Sequence, residues 1–372
     1  MARPIDVPHD ILDEILSRLP VKSLVRFKSV SKSWSRFISS PPFTRNHYRR
    51  ASSPDPEITA LKILISKPDG FRFIDCEPSR LPVPVRFRFP QTRTRDIHDH
   101  VRFFGSCHGL VCLGIGNPRH LVLWNPSTGD SKTLPDYYKV LSVPAMRNCF
   151  GGLGYDPSCD DYKVILTDNS RLLIFSLRKN SWRNMRVRNG TGVLTNGVYS
   201  NGALYWKNYG EERIFGFDLK SERLYEMPQP DLVNDDAFYF HTGSLFGVGE
   251  RLCVACRKPI TNDLRGGIEF WVSMKPGVKE SWTKIHRMPK HNRWSCFWNS
   301  FLYLLKRKGF ILLGDPQQEI RTYDANGFGL QVEKTMFCND PSRCKDWNAR
   351  FHPHRHEAIV YTESLISPNL SN

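Results

Sequence analysis

Two groups of residues have side chains that could bind a metal ion. Cys253 and Cys256 form a Cys-x-x-Cys pair, and His352, His354 and His356 alternate further along the chain. A structural zinc site needs four ligands, and neither group has a second pair or a flanking carboxylate at the usual spacing. On a β-strand the two thiols would also point to opposite faces. We therefore expect no metal and no cofactor, and interpret the histidines as part of a solvated segment.

A catalytic site is not indicated by the remaining candidates. Ser106-Cys107-His108 places a thiol beside an imidazole, but adjacency in sequence does not provide the geometry of an activated nucleophile. The glycine-rich stretches 151–154 and 243–249 do not open a helix after a strand, as phosphate-binding loops do. There is no Gly-x-Ser-x-Gly motif. We predict a non-catalytic protein.

The charge of the chain favours acidic partners. Its formal net charge is +16, and the isoelectric point lies near 9.5. The densest basic stretch contains Arg86, Arg88, Arg93, Arg95 and Arg102. The Arg-Phe alternation at 86–89 is explained more simply by a half-buried strand than by base stacking. We expect a partner with an acidic surface, and we consider nucleic acid the less favoured alternative.

The composition is that of a globular protein, because 40% of the 372 residues are apolar and 12% are aromatic. Acidic and basic residues interrupt the first twenty positions, so we expect no secretory leader. No run of about 18 apolar residues occurs, so we expect no membrane association. The ten cysteines are irregularly spaced. We predict a location in the cytoplasm, the nucleus or both, with free thiols.

Residues 5–48 are predicted to form three short helices. The first begins after Pro8, and its apolar side chains follow a helical spacing: Ile11, Leu12, Ile15, Leu16 and Leu19. The second covers about 22–30, and Ser31 is placed to cap the third, which carries Trp34. A unit of this size cannot hide so many large apolar groups. Either the helices pack on the rest of the chain, or their excess apolar face binds a partner, and periodicity favours neither interpretation.

Beyond residue 57 the chain changes to short β-prone runs that repeat. Similar units begin near residues 103, 150, 195, 241 and 295. Three of them contain a hairpin whose two end residues lie ten positions apart: Trp124–Leu134, Phe175–Met185 and Phe217–Met227. A period of about 45–55 residues with four strands is typical of a β-propeller blade. We predict six blades, with five or seven as alternatives, and a β-sandwich as the alternative fold.

The ring of blades is predicted to close through strands from opposite ends of the β region. A partial unit at 352–365 ends in the strand 357–363, and an unpaired strand lies near Leu61–Ile65. Pairing between these two would complete the last blade. Such a closure removes exposed sheet edges, which are prone to aggregation.

Two segments resemble known families. Residues 7–34 resemble an F-box, with Ile-Leu-Ser-Arg-Leu-Pro at 15–20, Lys-Ser-Leu at 22–24 and Val-Ser-Lys-Ser-Trp at 30–34. Val7-Pro8 replaces the Leu-Pro that usually opens the motif. The later part is similar to the kelch-like F-box-associated domain of plants in the following pieces: Gly105–Cys112, Leu123–Gly129, Gly152–Pro157 and Asp161–Val164.

The resemblance implies a function in protein ubiquitination. An F-box binds a Skp-type adaptor, which links it to a cullin and a RING subunit, and the second domain captures the target protein. This favours the partner interpretation of the excess apolar surface. Carried over by position, the adaptor-binding residues are Pro8, Ile11, Leu12, Ile15, Leu16, Leu19, Pro20, Leu24, Val30 and Trp34. Trp34 fits either the interface or the local core.

The predicted domains are an F-box at 1–48, a linker at 49–57, a β-propeller-like recognition domain at 58–368 and a tail at 369–372. We predict the substrate-recognition subunit of a Skp-cullin-F-box ubiquitin ligase that has no active site of its own. One alternative is a ligase-independent protein- or ligand-binding module, and another is a basic nucleic-acid-binding protein. The sequence identifies neither the target nor the surface that binds it.

Overall fold

The computed structural model describes most of the helical region and the strands of the β region. The described residues are 9–52, 61–67, 70–75, 83–85, 101–115, 120–137, 150–167, 171–187, 197–208, 213–230, 244–248, 251–258, 267–275, 277–278, 281–289, 300–304, 311–314, 320–323, 329–333 and 358–369. The histidines at 352–356 and the arginines at 86–95 lie outside them.

The first described part is a module of four helices. These are α1 (His9–Leu16), α2 (Val21–Phe27), α3 (Lys32–Ser39) and α4 (Pro41–Ala51). The Ser31 side chain accepts a hydrogen bond of 3.1 Å from the backbone N–H of Trp34 and so caps α3, as predicted. We refer to residues 9–51 as the helical module.

The prediction of three helices was wrong, because α4 is a fourth. Its first two residues are Pro41 and Pro42, and proline is favoured at the first helical position, where no N–H is needed. The helix buries Phe43, Thr44, His47 and Ala51 and continues to Ala51. The first residues of the predicted linker are therefore helical, while the other domain boundaries stay predictions.

The described part of the β region contains 24 strands. The first twelve are β1 (Leu61–Lys67), β2 (Gly70–Asp75), β3 (Val83–Val85), β4 (Val101–Cys107), β5 (Leu110–Ile115), β6 (His120–Trp124), β7 (Ser131–Thr133), β8 (Phe150–Asp156), β9 (Asp161–Thr167), β10 (Arg171–Ser176), β11 (Ser181–Arg186) and β12 (Val198–Ser200). The others are β13 (Ala203–Lys207), β14 (Ile214–Asp218), β15 (Arg223–Met227), β16 (Ser244–Val248), β17 (Arg251–Lys258), β18 (Gly267–Ser273), β19 (Trp282–Pro289), β20 (Ser300–Leu304), β21 (Ile311–Gly314), β22 (Ile320–Tyr323), β23 (Gly329–Glu333) and β24 (Ala358–Thr362).

These strands form antiparallel sheets of four. Five sheets contain consecutive strands, from β4–β7 to β20–β23, and the remaining sheet has the order β24-β1-β2-β3. The predicted hairpins at 124–134, 175–185 and 217–227 correspond to the pairs β6–β7, β10–β11 and β14–β15. The repeat is therefore structural, and the fold is propeller-like, as predicted. Six sheets are described, whereas the number of blades stays a prediction, because connections between the last sheets lie outside the described residues.

Closure by opposite ends of the β region is confirmed. β24 pairs with β1 in antiparallel register, from Leu61 opposite Thr362 to Ile65 opposite Ala358. β24 also contacts β4 and β20, which belong to the neighbouring sheets. The last described strand thus completes the sheet that the first strand begins.

The apolar core lies between neighbouring sheets. Phe71 of β2 packs on Trp124 of β6 with ring centroids 5.3 Å apart, and Ile165 of β9 shares a buried cluster with Trp206 of β13. Packing of neighbouring sheets on both faces explains the nearly continuous burial of inner strands such as β5 and β9. Because the faces of the sheets are occupied, contacts with other parts of the molecule or with a partner involve the edges and end turns of the sheets.

Candidate partner-docking site

Large exposed apolar side chains concentrate in the helical module. Ile11 and Ile15 of α1 are 50% and 53% exposed, and Val30, in the turn between α2 and α3, is 63% exposed. Ile11 and Ile15 are four residues apart and lie on one face of α1. The other exposed large apolar side chains of the described residues are Met274, Val278 and Ile285 in the β region. The helical module, which has only four short helices, thus carries three of the six exposed large apolar side chains of the described residues.

Polar contacts hold α1 against α4. The Asn46 amide donates a hydrogen bond of 3.0 Å to the Asp13 carboxylate. Glu14 forms ion pairs with Arg50 of α4 and with Arg18. These hydrogen bonds, first from Arg50 and then from Arg18, lower the pKa of Glu14 to about 2. The contacts orient α1, so its isoleucines face away from the module.

The structure separates the predicted adaptor-binding residues into three groups. Ile11, Ile15, Pro20 and Val30 are exposed; Leu12, Leu19 and Trp34 are half-buried; Leu16 and Leu24 are buried. Pro8 lies outside the described residues. Leu16 and Leu24 belong to the core of the module with Ile38 and Phe43. The half-buried Trp34 packs edge-on against Phe27, with ring centroids 5.7 Å apart, so it is both part of the core and accessible.

The surface around the exposed apolar groups is basic. Residues 15–54 contain nine lysines and arginines and no acidic residue. Four of the nine have acidic neighbours, because Arg18 and Arg50 pair with Glu14, Arg45 pairs with Asp160, and Lys28 lies near Asp130. The other five are exposed: Lys22, Arg26, Lys32, Arg36 and Arg49. The helical module therefore presents both exposed apolar side chains and exposed basic side chains.

The helical module is fixed to the β region through α4. The Tyr48 ring packs on His108 in the β4–β5 turn, with centroids 4.6 Å apart, and Arg45 pairs with Asp160 in the β8–β9 turn. Asp160 also accepts a hydrogen bond of 2.7 Å from the Tyr155 hydroxyl. Sequence reasoning missed this junction, because its members lie up to 115 residues apart. His108 and Asp160 both have positive φ, in the left-handed region of the backbone. This conformation is typical of tight turns and does not by itself indicate a docking site.

His108 is the centre of this junction. Besides Tyr48, three tyrosine rings surround it: Tyr155 at 4.8 Å, Tyr199 at 5.6 Å and Tyr162 at 5.8 Å. Its Nδ1 lies 3.2 Å from the Tyr162 hydroxyl. Burial lowers the pKa of His108 to about 4, so the imidazole is neutral near pH 7. The arrangement is a packing hub in the β4–β5 turn.

The cysteine pair considered for metal binding lies inside β17. Cys253 and Cys256 are both buried, and burial raises the pKa of each thiol to about 12. Protonated thiols are poor ligands and poor nucleophiles. Within the described residues, no group of three His, Cys, Asp or Glu side chains is arranged to hold a metal ion. No helix of the described part is long and apolar enough to cross a membrane.

The geometry defines a helical docking module carried on a propeller-like domain. Two protein families match these parts: residues 5–46 match the F-box domain, and residues 75–312 match the F-box associated beta propeller domain. The chain belongs to the F-box proteins with an F-box-associated β-propeller domain. F-box domains generally bind Skp1-type adaptors. The family predicted from the sequence is thereby confirmed.

The chain is similar to several F-box proteins of one plant. The chain is 28% identical to the F-box/kelch-repeat protein At3g23880 of Arabidopsis thaliana, over 99% of this chain and 98% of that protein. It is 26% identical to the F-box protein CPR1 of the same plant, over 82% of this chain and 79% of that protein. Among solved structures, a chain of the "Crystal structure of Nidogen/Laminin Complex" aligns with a TM-score of 0.44 and 10% identity, covering 82% of this chain and 99% of that chain.

Proposed function

We propose that this protein is the substrate receptor of a Skp-cullin-F-box ubiquitin ligase. Its helical module binds a Skp-type adaptor, and through the adaptor a cullin and a RING subunit. Its β domain captures a target protein and contributes no catalytic group. The site of action that fits this role is the cytoplasm or the nucleus.

The observation that carries this proposal is the exposure of Ile11, Ile15 and Val30. Burying an apolar side chain in an interface removes it from water and contributes about 1.5–3 kcal/mol for a residue of this size. Ile11 and Ile15 lie on one face of α1, and monomeric proteins rarely leave large apolar patches exposed without a partner. The three residues are members of the predicted adaptor-binding set and are fully available in this fold.

The other predicted residues have a different role in this proposal. Leu16 and Leu24 are 3% and 0% exposed, so they support the docking face from within the module. Pro20 is exposed and Trp34 half-buried, which allows both to border the contact. A substitution at Leu16 would unfold the helices as well as alter the docking face, so it cannot test the interface by itself.

The target is proposed to present an acidic surface. No acidic residue occurs between positions 169 and 210. The β10–β11 hairpin within this stretch carries the exposed Lys179 and Arg186. Its Arg178 and Arg183 are 62% and 50% exposed and form ion pairs with Asp160 and Glu222. Opposite charges accelerate encounter and select partners more than they add affinity. Target binding should therefore weaken and slow as salt is added.

The adaptor contact is tested with a double substitution, Ile11→Ser with Ile15→Ser, in the full chain. We expect the affinity for a purified Skp-type adaptor to fall by at least about tenfold, because each change removes an apolar contact of an interface. Calorimetric titration measures the affinity. The matched control is Ile285→Ser in β19, where the same side chain is 43% exposed on the β domain. This control should bind as the parent does.

The possible results separate the proposal from its alternatives. Equal adaptor affinity in the parent and the double variant would exclude this docking face. Absence of binding by the parent would reject the ligase assignment and favour a ligase-independent binding module. Tight binding of nucleic acid that depends on sequence and falls steeply with salt would favour the nucleic-acid alternative.

A further inference from the structure

Three residues that follow β24 connect the β domain with the core of the helical module. We refer to residues 364–366 as the C-terminal segment. Leu365 is 2% exposed and belongs to the apolar core of the module, in one cluster with Leu16 and Leu24. The next residue, Ile366, is 7% exposed and belongs to the buried cluster between the sheets that contain β4 and β8. Adjacent side chains of one segment therefore fill two different cores.

The backbone of the C-terminal segment is fixed by Asn125, a fully buried residue in the β6–β7 turn. Its amide Nδ2 donates hydrogen bonds of 3.0 Å to the carbonyl of Ser364 and 2.7 Å to the carbonyl of Ile366. Its Oδ1 accepts a hydrogen bond of 2.8 Å from the backbone N–H of Ser127. With both ends of the amide used, Asn125 fixes the direction of the segment. Leu365, between the two bonded carbonyls, then has one available orientation.

The approach of the segment also requires a glycine in the β4–β5 turn. Gly109 has a φ of 84°, and a Cβ atom at this position would collide with the side chain of Ser364. Ser364 itself is fully buried. The segment is thus packed into a slot between two turns of the sheet β4–β7. Glu363 joins the segment to β24, which is paired with β1.

From these contacts we infer that the adaptor-docking module is a composite of residues 9–51 and Leu365, so that adaptor binding depends on a residue contributed from the end of the β domain. Leu365 is a positioning residue: it contacts no adaptor, and it fills the core that α1 and α2 share. Ile11 and Ile15 keep their outward direction only while α1 is held over this core. The inference rests on the proposed function, since it concerns the same docking surface.

Substitution of Leu365 in the full chain tests the inference. We expect Leu365→Ala to weaken adaptor binding by at least about tenfold, since a buried leucine that is lost leaves a cavity in the module. Leu365→Met conserves the volume and should recover binding to within about threefold of the parent. Ile366→Ala is the matched control, because it removes a neighbouring side chain that faces the β domain. It should bind the adaptor within about threefold of the parent.

Hydrogen exchange gives an independent measurement on the free proteins. In Leu365→Ala the amides of α1 and α2 should exchange at least about tenfold faster than in the parent, while those of β5 and β9 stay protected. If Leu365→Ala is not obtained as folded protein, Leu365→Val provides the same comparison, with an expected loss of affinity that is larger than in Ile366→Ala.

The results distinguish failure of this inference from failure of the proposed function. Parent-like affinity of Leu365→Ala would overturn the inference, and so would an equal loss in Ile366→Ala, which would indicate general unfolding. Failure of the parent chain to bind the adaptor would instead reject the proposed function. Selective loss in Leu365→Ala with recovery in Leu365→Met would support the composite module.

Discussion

Lowering the pH from about 7.5 to about 5 perturbs the His108 hub without changing any covalent structure. An unfolded histidine has a pKa of about 6.5, whereas burial lowers the pKa of His108 in the folded protein to about 4. Below pH 6.5 the unfolded chain therefore takes up a proton that the folded chain does not. The contribution of this group to stability is complete above pH 6.5 and is lost as the pH falls toward 4.

The magnitude follows from the two pKa values. A tenfold difference in proton affinity corresponds to about 1.4 kcal/mol. At about pH 5 the expected fall in the free energy of unfolding is about 2 kcal/mol, and near pH 4 it approaches about 3 kcal/mol. These are upper values, because the ring is not fully enclosed and keeps an accessible edge.

The assay is urea unfolding followed by tryptophan fluorescence at about pH 7.5 and about pH 5, in the parent and in His108→Asn. Asparagine tolerates the positive φ of this turn and does not titrate. His47, whose pKa burial also lowers, is present in both proteins, so the difference between them isolates His108. The parent should lose about 2 kcal/mol more than the variant over this interval. An equal loss in both proteins would refute the reasoning.

Two further predictions use matched pairs of substitutions, each checked by equilibrium unfolding. Gly109→Ala should lower the free energy of unfolding by at least about 1 kcal/mol more than Gly129→Ala does. Both glycines have a φ near +83°, but only a Cβ at position 109 would clash with a neighbour. Equal losses would contradict the close packing of Ser364 against Gly109. Lys163→Met should cost about 3–5 kcal/mol, since it leaves Asp156, 2% exposed, without its cation at 2.9 Å. Arg213→Met breaks a half-exposed ion pair and should cost less than about 1 kcal/mol; a similar loss for both would show that burial does not govern the effect.

The sequence predicted the sheets because their signals are local. The β6–β7 hairpin contains both strands and the turn within the fourteen residues from His120 to Thr133, so its pattern is visible without tertiary information. The closing pair of strands was also predictable, because each end of the β region had a strand without a partner. Helix α4 was missed, since its polar surface shows little apolar periodicity and Pro41-Pro42 resembles a break. Proline at the first helical position was the signal that could have identified it.

The docking site was only partly predictable. Periodicity located Ile11, Ile15, Leu16 and Leu24 as apolar positions of helices, but it does not tell which side of a helix meets the core and which meets a partner. Tertiary packing decides that Leu16 and Leu24 are buried while Ile11 and Ile15 are exposed. One part of that packing comes from Leu365, more than 300 residues away. No local pattern carries information over such a separation.

The pairing of β1 with β24 has a consequence for the synthesis of the chain. Leu61 meets Thr362, so the closing contact joins segments about 300 residues apart, and the entropy of bringing them together costs about 5 kcal/mol. On the ribosome the hairpins of the middle sheets can form as they emerge, whereas β1 keeps an unpaired edge until β24 has been synthesised. An unpaired edge is a template for wrong strand pairing. The nascent chain should therefore need protection at β1 for most of its synthesis, and ring closure should set the rate at which new molecules mature.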